Sequence, residues 1–295
     1  MNKLGIFVNF WAQSWTIDYK YYIDKMVKLG FDILEFQAQP LLEMTNEECR
    51  AIKKYADVRG IKLSYSLGLN KLYDVANRDR YVRAGGIKYL SEIVEKIAVM
   101  EGELFSGVTY CGWGVPDHFV DAKEKDDLFA RSVDSMQQVM KVAEREGVTV
   151  CCEAVNRFES PLINTAKEAI KYADMVGSPN IGIQLDTYHM NIEEDNIGDA
   201  IRLVGKRLRH FHTGENNRNI PGRGHIDWDG IFQALKDIDY KKDIVSEPFL
   251  QMGKEVGLDI RVWRDILENP TEQRLDDAAV ELLNFTKNKL IKYGM

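Results

Sequence analysis

The sequence is poor in the features that mark several protein classes. It has no run of about 18 apolar residues, so no membrane-crossing helix is expected. Its start, Met-Asn-Lys-Leu-Gly-Ile-Phe-Val-Asn-Phe, enters a strand-like run without a basic leader or a small-residue cleavage site, and a secretory signal is not expected. The four cysteines, Cys49, Cys111, Cys151 and Cys152, show neither zinc-site spacing nor a disulfide framework. They read as buried free thiols in a reducing compartment, and a cytoplasmic location is expected. Positive charge is in deficit: 39 Lys and Arg stand against 46 Asp and Glu, and the net charge of −7 argues against a nucleic-acid partner. No G-x-G-x-x-G follows the first apolar run and there is no Walker sequence, so a nucleotide-binding open sheet has little support. No linker, low-complexity stretch or charge block divides the chain, and residues 1–295 read as one domain.

What is present is a regular alternation. Short apolar runs at Gly5–Phe10, Asp32–Ala38, Lys62–Gly68, Leu104–Tyr110, Thr149–Val155, Ile181–Thr187, Leu208–Thr213 and Asp243–Pro248 read as eight strands. Helical spacing of apolar residues marks Thr45–Arg59, Tyr81–Glu101, Lys123–Glu146, Thr165–Val176, Trp228–Ile238 and Asp276–Lys292. Thr45 with Glu48 three residues on is a capping-box signature. Gly30, Gly60, Gly147 and Gly177 stand where helices should stop. Strands that alternate with helices imply a parallel sheet with crossover helices. Eight repeats favour closure into a (β/α)8 TIM barrel, and an open doubly wound sheet is the alternative. Gly112–Asp121 and Gln251–Pro270 are the longest irregular pieces, and both are placed to cover a site.

In such a barrel the C-terminal ends of the strands share one mouth. Four successive strands end in a metal-competent side chain: Glu153, Asp186, His212 and Glu247. They are spaced by 26 to 35 residues, about one strand–helix unit each. A single acidic residue after a strand is more often a loop residue or a helix cap. Four in succession are not explained that way. Three carboxylates converging on one mouth repel unless a cation lies between them. Oxygen-rich ligands with one imidazole and no thiolate favour Mn²⁺, with Co²⁺ or Mg²⁺ possible. His210 and His212 share a face of their strand at different depths, and the one nearer the C-terminal end is taken as the ligand. His210 then reads as a packing residue deeper in the barrel. His118 and His225 read as loop residues.

Around these residues the sequence resembles the ketose 3-epimerases, the D-tagatose 3-epimerase and D-psicose (D-allulose) 3-epimerase family within the xylose isomerase-like barrels. The resemblance is carried by Glu153-Ala-Val-Asn-Arg-Phe-Glu159, Leu162-Ile-Asn-Thr165, Leu185-Asp-Thr-Tyr-His-Met-Asn-Ile-Glu-Glu-Asp195, His210-Phe-His-Thr-Gly-Glu215, Asn217-Arg218, Pro221-Gly-Arg-Gly224, Glu247-Pro-Phe249 and Val262-Trp-Arg-Asp265. Pieces of the N-terminal half, such as Lys28-Leu-Gly-Phe-Asp-Ile-Leu-Glu35, agree as well. The resemblance implies that Glu153 and Glu247 both bind the metal and act as acid and base, with Asp186 and His212 completing the metal shell. It implies that Glu159, His189 and Arg218 hold a free ketose near O1 to O3 while C3 is inverted. A mutual surface ion pair is the other reading of Glu159 and Arg218. A homodimer or homotetramer is expected on the same ground.

The first four strand ends depart from the family pattern, at Gly5-Ile-Phe-Val-Asn-Phe-Trp11, Phe36-Gln-Ala-Gln-Pro40, Ser64-Tyr-Ser-Leu-Gly68 and Ser106-Gly-Val-Thr-Tyr-Cys-Gly-Trp-Gly114. Trp113 is expected as a lid or stacking residue, and Phe7 and Trp11 as apolar wall. These strands should surround the distal end of the sugar. The sugar therefore stays open between D-allulose/D-fructose and D-tagatose/D-sorbose types. An aldose–ketose isomerase, or a metallo-lyase or isomerase of a 3-keto sugar, is the competing reading on the same barrel. A phosphosugar substrate rests only on Arg157, Arg218 and Arg223. A non-enzymatic sugar-binding protein conflicts with the intact Glu153 and Glu247.

Overall fold

The computed structural model describes residues 2–116 and 118–295. Eight parallel strands, β1 (Leu4–Phe7), β2 (Ile33–Gln37), β3 (Lys62–Gly68), β4 (Leu104–Val108), β5 (Thr149–Ala154), β6 (Ile181–Asp186), β7 (Leu208–Thr213) and β8 (Ile244–Ser246), form a closed barrel in sequence order. The barrel shuts where β1 pairs with β8, Leu4 opposite Ile244 and Ile6 opposite Ser246. This is a (β/α)8 TIM barrel, and the open-sheet alternative is excluded.

The expected helices form with small shifts at their ends: α2 (Asn46–Asp57), α3 (Arg80–Val99), α4 (Ala122–Glu146), α5 (Ala166–Val176), α8 (Trp228–Asp237) and α10 (Glu272–Tyr293). Thr45 and Glu48 make the reciprocal capping bonds their spacing predicts, and Thr165 and Glu168 make a second set. Four helices were not singled out from the sequence. They are α1 (Tyr19–Leu29), α6 (Thr187–Glu193), α7 (Ile197–Val204) and α9 (Lys254–Asp259). Three of the four have eight residues or fewer, too short for a periodic apolar stripe to stand out. The segment Gln251–Pro270 is thus not wholly irregular, because α9 lies inside it.

The first strand is shorter than its apolar run. After Phe7 the chain turns into a 3-10 segment at Val8–Phe10, with the Trp11 and Ala12 amides bonded to the Val8 carbonyl. The Asn9 side chain fixes that turn by donating to the carbonyls of Ala12 and Ser14, both at 3.0 Å. The turn carries Trp11 away from the mouth. Its indole N–H donates to Asp276 on α10 at 3.0 Å.

Asp276 also accepts from Lys25 on α1 at 2.7 Å, and the two side chains are 6% and 5% exposed. This pair ties the last helix to the first. A buried ammonium that loses its buried partner keeps only the exposed Glu272 to compensate it. Asp276→Ala is expected to lower the unfolding free energy by about 3–5 kcal/mol. Glu272→Ala removes the other partner of Lys25, which is 62% exposed, and is expected to cost about 0–1 kcal/mol. Urea denaturation of the two variants measures the contrast.

Candidate active site

The four strand-end residues do meet. Glu153 lies on β5, Asp186 ends β6, His212 lies on β7 and Glu247 directly follows β8. Asp186 pairs in register with His212 across the β6–β7 ladder. Glu153, Asp186 and His212 are buried, and each offers a ligand atom within 4.8 Å of the others. Glu247 stands beside them, with its Oε2 3.8 Å from His212 Nδ1. The same oxygen accepts a hydrogen bond from Arg218 Nη1 at 3.0 Å. The sequence treats the four as equivalent. The structure distinguishes three in a compact set from a fourth held by an arginine.

The donor set fits a divalent cation. Glu153 Oε1 is buried and has no hydrogen-bond partner among the described residues. Burial, with Glu247 and Asp186 adding to it against the opposing pull of His212, pushes the Glu153 carboxyl well above its ordinary value. The His212 ring lies between the Glu35 and Glu247 carboxylates, at 2.6 Å and 3.8 Å. The site thus calls for positive charge where Glu153 presents a bare oxygen. A second triad, Glu35, His210 and His212, is equally compact. Its members are already hydrogen-bonded to one another, with Glu35 2.7 Å from His210 and 2.6 Å from His212. The unpartnered oxygen therefore selects the Glu153 side.

Arg218, 9% exposed, organises the wall next to these carboxylates. Besides Glu247 it reaches Asp186 at 3.3 Å and Glu159 at 3.6 Å. Its guanidinium carbon sits 3.8 Å from the Tyr188 ring centre. The three carboxylates outweigh burial and raise its pKa. Its backbone holds φ +64°, a left-handed conformation rare for a non-glycine residue and typical of functional positions. The Glu159–Arg218 pair is real, but it is an interior pair of the cleft and not a surface one.

Glu159 is held low because His189 and Arg218 outweigh its burial. It accepts from the Trp113 indole N–H at 2.9 Å. His189 receives the Asn156 backbone N–H on Nδ1 at 3.1 Å. A backbone amide can only donate, so the His189 proton belongs on Nε2, which turns toward the cleft. Burial lowers its pKa.

The cleft is completed by Phe7, Trp15, Gln37, Ser66, Leu67, Gly68, Val108, Val155, Phe249 and Ile260, together with Trp113. Phe7 and Trp113 are where the sequence places them. Trp11 is not; the turn after Phe7 buries it against Asp276, and Trp15 takes the wall position, its indole N–H donating to Asp259 of α9 at 2.8 Å. Arg157 and Arg223 do not line the cleft. Each is paired outside it, Arg157 with Glu193 at 2.9 Å and Arg223 with Glu281 at 2.5 Å. His210 is buried below His212, as its position on the strand implies. Sequence reasoning missed Glu35, Gln184, Gln37, Ser66 and Trp15. For Glu35 and Gln184 a signal existed: each is a polar side chain amid the apolar residues of a barrel strand.

A carboxyl whose folded pKa lies above its unfolded value holds more protons folded than unfolded between the two. The metal-free protein should therefore lose stability as pH rises from the unfolded pKa through the folded one. Glu153→Gln removes that loss and is expected to stabilise the chelator-treated protein at about pH 8 by roughly 1–3 kcal/mol. Denaturant titrations of wild type and variant from about pH 5 to about pH 9 check it. A variant less stable than wild type at the alkaline end contradicts this account.

The comparisons with known proteins agree with this geometry. Residues 23–266 match the model of the xylose isomerase-like TIM barrel family. The chain is 42% identical to a D-psicose 3-epimerase of Ruminiclostridium cellulolyticum over 97% of both chains. It is 31% identical to an L-ribulose 3-epimerase of Mesorhizobium japonicum, over 90% of this chain and 88% of that one. Among solved structures, D-psicose 3-epimerase with D-tagatose from Clostridium cellulolyticum H10 superposes with a TM-score of 0.94, covering 98% of this chain and 99% of that one. The chain belongs to the xylose isomerase-like TIM barrel family and, within it, to the ketose 3-epimerases.

Proposed function

We propose that the protein is a divalent-metal-dependent isomerase that inverts C3 of a free ketose, of the D-allulose/D-fructose or D-tagatose/D-sorbose type. The observation that carries this reading is the unpartnered Glu153 oxygen in a compact Glu153–Asp186–His212 set, with Glu247 beside it across the mouth. Glu153, Asp186, His212 and Glu247 would hold the cation, and their hard, mostly oxygen donors favour Mn²⁺, with Co²⁺ or Mg²⁺ as substitutes. Bound there, the cation would supply Lewis-acid stabilisation of the charge that develops on O2 when the C3 proton leaves.

The remaining chemistry belongs to side chains. Glu153 and Glu247 come from strands separated by β6 and β7, so they can face opposite sides of a sugar. One carboxylate removes the C3 proton, which the C2 carbonyl acidifies, and the other returns a proton to the opposite face. Arg218 donates to Glu247 and orients that carboxylate. The His189 Nε2–H, the Arg218 guanidinium and the Glu159 carboxylate offer two donors and an acceptor for O1 to O3. Phe7, Trp15, Phe249 and Ile260 keep water from the intermediate. A phosphosugar is disfavoured because Arg157 and Arg223 are engaged elsewhere. We also read residues 1–295 as one domain and the enzyme as a cytoplasmic homodimer or homotetramer. Among the described residues no helix is long and apolar enough to cross a membrane.

With Mn²⁺ and D-fructose in D2O, the protein is expected to form D-allulose and to place solvent deuterium at C3. Removal of metal with EDTA should abolish turnover, and Mn²⁺ or Co²⁺ should restore it. Glu153→Gln or Glu247→Gln is expected to lower kcat by about 10²–10⁴-fold. A near-normal rate in either variant removes that residue from the acid–base pair. Absence of C3 exchange in fructose, allulose, tagatose and sorbose alike would sink the epimerase reading.

A further inference from the structure

Below the carboxylates, the barrel interior holds a chain of hydrogen bonds whose polarity is set by a backbone amide. Gly107 on β4 donates its N–H to Gln184 Oε1 on β6 at 2.9 Å. That bond identifies Oε1 as the acceptor and turns the Gln184 NH2 toward His212 Nδ1, 3.1 Å away. An amide NH2 can only donate, so Nδ1 must present its lone pair and the ring proton belongs on Nε2. Nε2 lies 2.6 Å from Glu35 Oε1 on β2. The other oxygen of Glu35 accepts from His210 Nε2 at 2.7 Å and from Ser64 Oγ at 2.6 Å.

The direction of this chain starts at a position only glycine fills. Gly107 has φ +99°, and a Cβ there would lie 2.4 Å from the Leu67 carbonyl oxygen and 2.9 Å from the Leu67 nitrogen. β2 and β7 are not neighbours in the barrel, so the Glu35–His212 bond crosses its interior. Glu35 is fully buried, in a layer that barrels of this kind usually fill with branched apolar side chains. A charged group in that place needs a function that offsets its desolvation.

We propose that Glu35 is a positioning residue: it holds the Nε2–H of His212, so that Nδ1 keeps its lone pair for the Glu153–Asp186–Glu247 side, where a bound cation would take the place of the Gln184 N–H. Nδ1 is the nitrogen on that side, 3.8 Å from Glu247. The inference rests on the metal-site reading above and adds to it the residue that orients the single nitrogen ligand. Carboxylates that orient a metal-binding histidine typically account for 10–100-fold in metal affinity.

The test uses the full-length protein. In the Mg²⁺-loaded wild type, ¹⁵N-histidine spectra are expected to show His212 protonated on Nε2, with slow solvent exchange, and bare on Nδ1. A proton on Nδ1 overturns the proposal without any variant. Calorimetric titration of the chelator-treated protein with Mn²⁺ is expected to give a Kd about 10–100-fold higher for Glu35→Gln, with the slowly exchanging Nε2–H signal lost. Ser64→Ala removes another buried donor to Glu35, 2.6 Å from its Oε2, without touching His212, and should change neither readout. Equal weakening by both variants, or weaker Mn²⁺ binding in Glu35→Gln with the Nε2–H signal intact, assigns the effect to packing or net charge and overturns the positioning role. An unchanged Kd in Glu35→Gln with normal C3 exchange by wild type overturns the Glu35 role alone. The Glu35 effect without C3 exchange by wild type overturns the epimerase reading alone.

Discussion

The structure is governed by the need to balance negative charge at one end of the barrel. Glu153, Asp186 and Glu247 come within reach of one another where little water is present to screen them. Carboxylates so placed either take up protons, pair with fixed cations or bind a metal. Glu153 is pushed toward its protonated form, Arg218 braces Asp186 and Glu247, and Glu153 Oε1, without a partner among the described residues, suits the third. Arg218 also explains why Glu247 is not simply a fourth equivalent ligand. A carboxylate already accepting from a guanidinium is oriented before substrate arrives, which suits a group that must meet one face of a sugar.

The barrel meets this demand through its interior. Register across β6 and β7 puts Asp186 beside His212, and Glu35 reaches them from the far wall. Buried polar groups are tolerable only when their bonds are made. Glu35 accepts from three donors, and Gln184 uses both ends of its amide. One atom of the layer, His210 Nδ1, has no partner among the described residues. The layer sits directly beneath the ligands, so the rigidity of the first depends on the satisfaction of the second.

Much of this was legible in the sequence, for reasons that also explain the gaps. The strand ends that carry Glu153, Asp186, His212 and Glu247 could be found because the barrel converts position along a strand into position at the mouth. β3 and β7 were placed to the residue, since their apolar runs have no competing local structure. β1 was overextended because Asn9 ends it with side-chain bonds that a hydropathy pattern does not show. The same turn exchanged Trp11 for Trp15 in the cleft wall. Glu35 was passed over because its two histidine partners lie about 175 residues away, on a strand that is not its neighbour. A charged residue in a strand announces that it needs a partner, but not which one.

The division of labour around the barrel follows from the same geometry. The groups suited to proton transfer and to metal binding come from β5 to β8 and the loops that follow them. β1 to β4 contribute Phe7, Gln37, Ser66, Leu67, Gly68 and Val108 to the cleft, with no ionisable side chain among them. Reaction type and substrate choice can therefore change separately. Altering the wall on β1 to β4 reshapes the space for the distal carbons without touching the charge balance. Altering β5 to β8 disturbs three carboxylates, an arginine and the histidine fixed by Glu35 together. The cleft-facing residues of β1 to β4 can change without a matching change in buried charge, provided Glu35 beneath them is kept.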